Sequence, residues 1–126
     1  MQHLTTLRDI AHAIASHRLC LFYIKAPDCG VCQVMQGRVE ELAKRYDNIF
    51  PFYTDIREEP LIAGEYLVYS GPTLLMFLDG KEVYRASQFI DMKEVECRIE
   101  REEVKANDND NVNDKEIERN NGESIG

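Results

Sequence analysis

The spacing of apolar residues divides the chain into helix and strand segments. Leu4, Leu7 and Ile10 recur at three- and four-residue steps, which is typical of an amphipathic helix. The next apolar run, Leu19 to Ile24, is continuous, as in a strand that is covered on both faces. The same reasoning predicts a helix from Val31 to Tyr46, a strand from Ile49 to Tyr53, a helix from Pro60 to Tyr66, a strand from Thr73 to Leu78, a strand from Lys81 to Ala86 and a helix that begins at Asp91.

These elements predict a single α/β domain. Parallel strands joined through helices, followed by a hairpin at Asp79-Gly80, form a mixed central sheet of about four strands with helices on both faces. No strand is predicted ahead of the first helix. From Lys105 onward Asn, Asp and Glu dominate, and little apolar surface is left to bury. We therefore expect a folded domain over residues 1–104 and a disordered acidic tail over residues 105–126, into whose start the last helix can extend.

Composition and charge narrow the class of protein. Apolar residues make up 44% of the 126 residues and charged residues 30%, which is typical of one soluble globular domain. The formal net charge of −8, with basic and acidic residues interspersed, argues against a nucleic-acid partner. The longest apolar run is only strand-sized, so no membrane partner is expected. The N-terminal residues lack a basic start and a continuous apolar stretch, and we expect a cytoplasmic location.

The candidate chemistry is the pair Cys29 and Cys32, which separates the predicted strand Leu19 to Ile24 from the next helix. Two cysteines at this spacing can close a small disulfide ring. The unpaired N–H groups and the dipole of a helix that begins at Gly30 favour a thiolate on Cys29. That thiolate can attack a disulfide, and Cys32 can then attack the resulting mixed disulfide. The spacing predicts a dithiol redox centre, with Gly30 and Val31 as modulating neighbours.

Metal binding and a purely structural pair are the alternatives. A zinc site would need a second close pair of Cys or His ligands. Cys20 lies inside an apolar strand, and Cys97 is far along the chain. His3, His12 and His17 all fall in the predicted first helix. Redox chemistry is therefore favoured, and no metal or other cofactor is expected.

The chain resembles the thioredoxins over residues 4–104. The resemblance depends on the strand that leads into Cys29-Gly30-Val31-Cys32, on the Gly71-Pro72-Thr73 segment that opens a later strand, and on the Asp79-Gly80 hairpin. It implies that the peptide bond before Pro72 is cis and that Pro72 lies beside the cysteine pair. It also implies that Gly71, Pro72 and Thr73 form the groove in which a client peptide pairs with the backbone. A plain turn before a strand is the alternative for Pro72.

The chain also departs from the thioredoxin pattern. That family usually has Trp before the first cysteine and Lys after the second, whereas this chain has Asp28 and Gln33. The negative charge of Asp28 disfavours a thiolate, so we expect the pKa of Cys29 to be higher than in a typical thioredoxin. The buried Asp and Lys of the family fall on Tyr23 and Tyr53. Packing as core aromatics is the favoured interpretation of both tyrosines, and proton transfer through a hydroxyl is the alternative.

The resemblance implies a cytoplasmic thiol-disulfide oxidoreductase that reduces or exchanges protein disulfides. Cys29 is then the nucleophile and Cys32 the resolving cysteine. The implied partners are proteins that contain disulfides, together with an electron donor that is either a dithiol protein or a flavin reductase. The alternative is an adaptor module of the same fold, which binds partners through the groove with weak or no redox turnover. The changes at Asp28, Gln33, Tyr23 and Tyr53 motivate this alternative.

Overall fold

The protein alternates strands and helices along the chain. A computed structural model describes residues 1–27 and 29–115, and this part of the chain contains five strands and four helices. In chain order the elements are β1 (Gln2–His3), α1 (Leu7–Ser16), β2 (Leu19–Lys25), α2 (Cys32–Ala43), β3 (Ile49–Asp55), α3 (Leu61–Tyr66), β4 (Thr73–Leu78), β5 (Lys81–Ser87) and α4 (Met92–Lys115).

The strands form one mixed sheet in the order β1-β3-β2-β4-β5. β2 is parallel to β3 and antiparallel to β4, so the continuous apolar strand lies at the centre of the sheet. β5 returns antiparallel to β4 after a turn in which the φ angles of Asp79 and Gly80 are 52° and 83°. Glycine adopts such a conformation without steric cost, which is why Asp-Gly is a strong hairpin signal. The predicted α/β class with a mixed sheet is confirmed.

β1 is the strand that the sequence did not predict. Its two residues pair in parallel with β3, and the N–H of Leu4 donates to the carbonyl oxygen of Tyr53 over 3.0 Å. A strand this short produces no detectable apolar alternation, so the predicted strand count was too low. His3 consequently lies in β1 rather than in the first helix, which begins at Leu7.

Helices cover both faces of the sheet, because alternate residues of a strand point to opposite sides. α2 lies on the face to which Tyr23 points, since the Tyr23 hydroxyl reaches the carbonyl oxygen of Cys32. The opposite face packs against α1 and α3. The buried residues of that cluster are Ile10, Ala13, Ile14, Cys20, Phe22, Ile24, Phe52, Ile62, Val68, Leu75 and Phe77. Burial on both faces explains why β2 is apolar at every position rather than at alternate ones.

Side-chain caps fix the starts of two helices. The N–H of Asp9 donates to Thr6 Oγ1 over 3.1 Å at the start of α1. The N–H of Lys93 donates to Asp91 Oδ1 over 3.0 Å, so the predicted helix start at Asp91 is confirmed. Within residues 1–27 and 29–115, no helix combines the length and the apolar character needed to cross a membrane.

The chain divides into two units, Met1–Lys93 and a second that starts at Glu94. In the second unit, α4 continues to Lys115, and Arg98 pairs with Glu102 at 2.9 Å. This helix includes the start of the predicted tail, into which a helical extension was expected. Residues 116–126 lie outside the described residues. The disordered tail over 105–126 and the domain boundary at residue 104 stay predictions.

Candidate functional site

Cys29 and Cys32 lie in the connection between β2 and α2. β2 ends at Lys25, and α2 begins at Cys32 with Val31 as its N-cap. The N–H of Cys32 donates to the carbonyl oxygen of Cys29 over 3.3 Å. The two side chains form a disulfide with an S–S distance of 2.06 Å and Cα atoms 5.4 Å apart. The structure therefore brings together the two sulfurs that the sequence singled out.

The two cysteines differ in their access to solvent. Cys32 is only 3% exposed, whereas Cys29 is half-buried. Gly30 and Val31, which separate them, are both exposed. A molecule that approaches the disulfide from solvent therefore meets Cys29 before Cys32.

The helix start differs slightly from the prediction. α2 begins at Cys32 rather than at Gly30, and its first hydrogen bond along the chain runs from the N–H of Met35 to the carbonyl oxygen of Val31 over 2.9 Å. Its first turn contains no acidic residue, so no carboxylate there opposes a thiolate. Asp28 lies outside the described residues, and its effect on the pKa of Cys29 stays a prediction.

Gly71 and Pro72 reach the disulfide from a distant part of the sequence. The peptide bond between them is cis, and Pro72 is buried. A Cβ atom on Gly71 would lie 2.7 Å from the backbone nitrogen of Ala26 and 3.3 Å from Cys32 Sγ. Only a residue without a side chain allows this close approach. The Gly71-Pro72 segment therefore packs directly against the turn that carries the redox pair.

Hydrogen bonds among neighbouring residues hold the Gly71-Pro72 segment in place. The Thr73 hydroxyl donates to the carbonyl oxygen of Ser70 over 2.7 Å, and the N–H of Gln88 donates to that of Pro72 over 2.6 Å. The Gln88 side-chain amide also donates to Ser70 Oγ over 3.3 Å. Thr73 itself is fully buried. Of the three predicted groove residues, Thr73 thus supports the segment from the interior, while Gly71 approaches Cys32 Sγ closely.

Tyr23 lies beneath the redox pair. It is fully buried, and its hydroxyl donates to the carbonyl oxygen of Cys32 over 2.6 Å. Burial raises the pKa of Tyr23, so the hydroxyl stays protonated at neutral pH. Tyr23 is therefore a core aromatic that also holds the first turn of α2, rather than a base at neutral pH.

Tyr53 occupies a different environment, although it pairs in register with Tyr23. It is half-buried and stacks on His3, with ring centroids 4.5 Å apart. Lys25 Nζ lies 5.2 Å from the centroid of the Tyr53 ring, within reach of a cation–π interaction. Tyr53 therefore ties β1 to the ends of β2 and β3, while Tyr23 supports the redox turn.

The sequence pattern did not predict that several apolar residues near the site are exposed. Val31 and Val34 flank Cys32 and are exposed, as is Tyr69, which precedes Ser70. Phe89 is 90% exposed and directly follows Gln88, the residue bonded to Pro72. Val31 and Val34 were counted among the periodic apolar positions of the predicted helix, and their exposure departs from that pattern. Tyr69 and Phe89 gave a usable signal, because they lie outside the predicted elements and adjoin the Gly71-Pro72 motif or its hydrogen-bond partner.

The other two cysteines, Cys20 and Cys97, are not part of a disulfide. Cys20 is buried in β2, and burial raises the pKa of its thiol to about 11. Cys97 is exposed on α4. Among the residues that the structure describes, no group of three or more His, Cys, Asp or Glu side chains is arranged to hold a metal ion.

The fold and the site together define a class of protein, one in which a disulfide at a helix start lies against a proline segment of a mixed α/β sheet. The thioredoxin family profile matches residues 3–101. The chain belongs to the thioredoxin family. Its resemblance to that family and its predicted fold class are therefore confirmed.

Individual relatives agree with this assignment. The "thioredoxin-like protein YdfQ" of Bacillus subtilis is 28% identical over 101 residues, which cover 80% of this chain and 90% of the relative. The thioredoxin of Chlamydia trachomatis is 36% identical over 86 residues, covering 68% and 83%. The X-ray structure of Fasciola hepatica thioredoxin matches with a TM-score of 0.70 and 31% identity, covering 78% and 98%. With its cysteine pair, the protein is a thiol-disulfide oxidoreductase in general terms.

Proposed function

We propose that this protein reduces or exchanges disulfides in client proteins, with Cys29 as nucleophile and Cys32 as resolving cysteine. The supporting observation is the unequal exposure of two disulfide-bonded residues, since Cys29 is half-buried and Cys32 is 3% exposed. A client disulfide can approach Cys29 from solvent. Cys32 stays shielded, and it meets the mixed disulfide only from within the protein.

The exchange proceeds in two steps that balance. The Cys29 thiolate attacks one client sulfur, a mixed disulfide forms, and the other client sulfur leaves as a thiolate that takes a proton from water. Cys32 then gives its proton to water and attacks Cys29 Sγ. The bond between Cys29 and the client breaks, that client sulfur leaves as a thiolate, and the Cys29–Cys32 disulfide forms. The client gains two electrons, which the protein must recover from a dithiol protein or a flavin reductase, and no cofactor beyond the sulfur pair takes part.

The groove for the client runs along Gly71 and Pro72. Gly71 contacts the β2–α2 turn without a side chain, so an extended client backbone can approach the disulfide closely. The side chains of Val34, Tyr69 and Phe89 are exposed, and each adjoins one of the two motifs in sequence, so they can offer apolar contacts to a client. Thr73 supports this surface from the interior. In this proposal, Gly30 and Val31 set the geometry of the turn between the cysteines, and Asp28 raises the pKa of Cys29. A cytoplasmic location supplies reducing conditions, in which the cysteine pair alternates between dithiol and disulfide.

Insulin reduction by dithiothreitol tests the proposed activity. We expect the wild-type protein to accelerate precipitation of the insulin chains, and we expect Cys29→Ser to lose that acceleration. Cys32→Ser should also lose turnover. When its reduced form is incubated with insulin without dithiothreitol, it should accumulate a mixed disulfide with insulin, visible as a mass increase that later addition of dithiothreitol removes. Cys29→Ser should not form this adduct.

The matched control is Cys97→Ser, which removes an exposed cysteine outside the pair and should behave as wild type. Equal acceleration by the wild-type protein and both active-site variants would contradict the proposal. An adaptor module of the thioredoxin fold would then be the better interpretation, because such a module binds clients without using the sulfurs.

A further inference from the structure

The segment from Leu67 to Ser70 connects α3 to the Gly71-Pro72 contact with the disulfide. α3 spans only Leu61–Tyr66, and its N-cap residue, Pro60, makes no side-chain cap hydrogen bond. Its C-cap residue, Leu67, has φ 55° and ψ 49°, a left-handed conformation that is unfavourable for a residue with a Cβ atom. A short helix that ends in such a residue needs further contacts to hold its last turn, because its final carbonyl groups have no partner within the helix.

Arg85 of β5 supplies these contacts. Its Nη2 donates to the carbonyl oxygen of Tyr66 over 2.7 Å, and its Nη1 donates to that of Leu67 over 2.9 Å. These are the last residue and the C-cap residue of α3. One guanidinium therefore binds two successive carbonyl groups at the point where the chain leaves the helix. A positive charge at a helix C-terminus is also favourable to the helix dipole.

The guanidinium is itself held in place. Glu82, three residues earlier on β5, accepts from Arg85 Nε over 2.8 Å and from Nη2 over 2.9 Å. The Arg85 side chain is 30% exposed, so water only partly screens this pair. The Arg85 guanidinium thus makes two hydrogen bonds to the Glu82 carboxylate and two to the carbonyl groups at the end of α3. Lysine cannot reproduce them, because its ammonium is a single point on a flexible chain.

β5 and the residue that follows it hold both ends of the segment from Leu67 to Pro72. At the far end, the N–H of Gln88 donates to the carbonyl oxygen of Pro72, and its side chain donates to Ser70 Oγ. At the near end, Arg85 holds Leu67. The segment that places Gly71 against Cys32 Sγ is therefore held at two points, one at Arg85 within β5 and one at Gln88, the residue directly after β5.

We propose that Arg85 is a positioning residue for exchange with protein clients, because it fixes the start of the segment that carries Gly71 and Pro72 to the disulfide. This inference rests on the function proposed above. Arg85 acts on the groove and does not touch the sulfurs. Its loss should therefore weaken the engagement of a client that uses the groove and leave the reactivity of the sulfur pair itself unchanged.

Two oxidants distinguish weaker engagement of a client in the groove from a change in the reactivity of the sulfur pair. The reduced protein is mixed with increasing insulin or with bis(2-hydroxyethyl) disulfide, which has no peptide backbone to pair with the groove. Because the chain contains no Trp, oxidation is followed by alkylation of the remaining thiols and mass measurement. We expect Arg85→Met to raise the half-saturating insulin concentration about tenfold, consistent with the loss of charged hydrogen bonds. Arg85→Lys should give a smaller rise, and Glu82→Gln a rise in the same direction.

The rate with the small disulfide should stay within about twofold of wild type for each variant, since a merely general loss of structure would slow both reactions. Arg18→Lys is the matched control, because Arg18 pairs with Asp79 before β2 begins and should change neither reaction. Urea unfolding identifies the variants that are folded under assay conditions. An unchanged insulin response in folded Arg85→Met, or equal slowing with both oxidants, overturns the inference. A wild-type protein that neither oxidant oxidises would instead overturn the proposed function.

Discussion

Tyr23 couples the central strand to the redox turn through a single hydroxyl group. That group donates to the carbonyl oxygen of Cys32, and it remains protonated at neutral pH because burial raises its pKa. We predict that Tyr23→Phe lowers the free energy of unfolding of the oxidised protein by about 1 kcal/mol, the usual net value of a buried hydrogen bond. Urea unfolding monitored by circular dichroism measures this change. Insulin reduction should persist, since the hydroxyl is not a base.

Tyr53→Phe is the control for this variant. It keeps the stacking on His3, and Tyr53 has no part in the bond from Tyr23 to α2. It should change the unfolding free energy less than Tyr23→Phe does. A loss of insulin turnover in Tyr23→Phe without a loss of stability would contradict the interpretation and would assign Tyr23 a role in proton transfer.

Gly71 is the residue whose missing side chain permits the contact between the two motifs. An added Cβ would lie 2.7 Å from the nitrogen of Ala26, which is backbone and cannot move aside without shifting the redox turn. We predict that Gly71→Ala destabilises the protein by about 1–3 kcal/mol, the typical cost of overpacking. Insulin reduction should slow as well, because the segment must retreat from Cys32. Urea unfolding and the insulin assay measure the two effects.

Gly64→Ala offers a matched comparison within α3. A Cβ at this position meets nothing within 4 Å, so the substitution adds no clash. Alanine favours a helix over glycine by up to about 1 kcal/mol, and this variant should be as stable as wild type or more so. If Gly71→Ala behaved in the same way, the close packing between Gly71 and the β2–α2 turn would be wrong.

At the scale of elements, the connection from β3 to α3 is fastened by Asp55. This carboxylate is 6% exposed and accepts from the backbone N–H of Arg57 over 3.0 Å and from its Nη2 over 2.6 Å. Hydrogen bonding to the Arg57 side chain holds the pKa of Asp55 below its ordinary value of 3.8. A carboxyl whose pKa is lowered by folding stabilises the protein above its unfolded pKa and loses that contribution as the pH falls through the folded pKa.

We therefore predict that Asp55→Asn lowers the free energy of unfolding at pH 7 by about 1 kcal/mol, a modest value because the Arg57 side chain is largely exposed. The difference between wild type and variant should shrink as the pH is lowered beyond 3.8. Urea unfolding at neutral and acidic pH measures it. A difference that is the same at both pH values would show that shape, rather than charge, is what Asp55 contributes.

The elements that the sequence predicted share a strong local signal. β2 is apolar throughout, Asp79-Gly80 suits a hairpin, and Asp91 suits a helix start, so each could be identified without knowledge of its neighbours. β1 could not, because two residues carry no periodicity and pair only once β3 is in place. α2 starts at Cys32, one residue after the Val31 start that periodicity predicted, because periodicity does not locate a helix end to the exact residue.

The residues of the candidate site likewise divide into those that a sequence signal predicted and those that it did not. The spacing of Cys29 and Cys32 identified the redox pair, and the family resemblance pointed to Gly71 and Pro72. The contact of Arg85 with the end of α3 could not be predicted, because it joins backbone carbonyl groups to a side chain nineteen positions away from Tyr66 in sequence. Contacts of this kind depend on the register of β4 and β5, which no local pattern encodes.

At the scale of the whole molecule, we expect the net charge of −8 to affect the encounter with disulfide-containing substrates. A net negative protein attracts positively charged partners and repels negatively charged ones over distances comparable with the Debye length. The exchange chemistry itself is indifferent to charges outside the reacting sulfurs. Net charge should therefore select among clients through the rate of encounter, while the groove and the sulfur pair determine what happens after contact.

Two synthetic peptides with the same cystine loop, flanked either by lysines or by glutamates, test this expectation. At low ionic strength the lysine peptide should oxidise the reduced protein about tenfold faster than the glutamate peptide. The difference should largely disappear at about 1 M salt, where the Debye length is only about 3 Å. A chain that ends at residue 104 lacks six acidic and three basic residues of the predicted tail, so it should show a smaller difference than the full chain. A preference that is insensitive to salt would mean that local contacts in the groove, rather than the overall field, distinguish the two peptides.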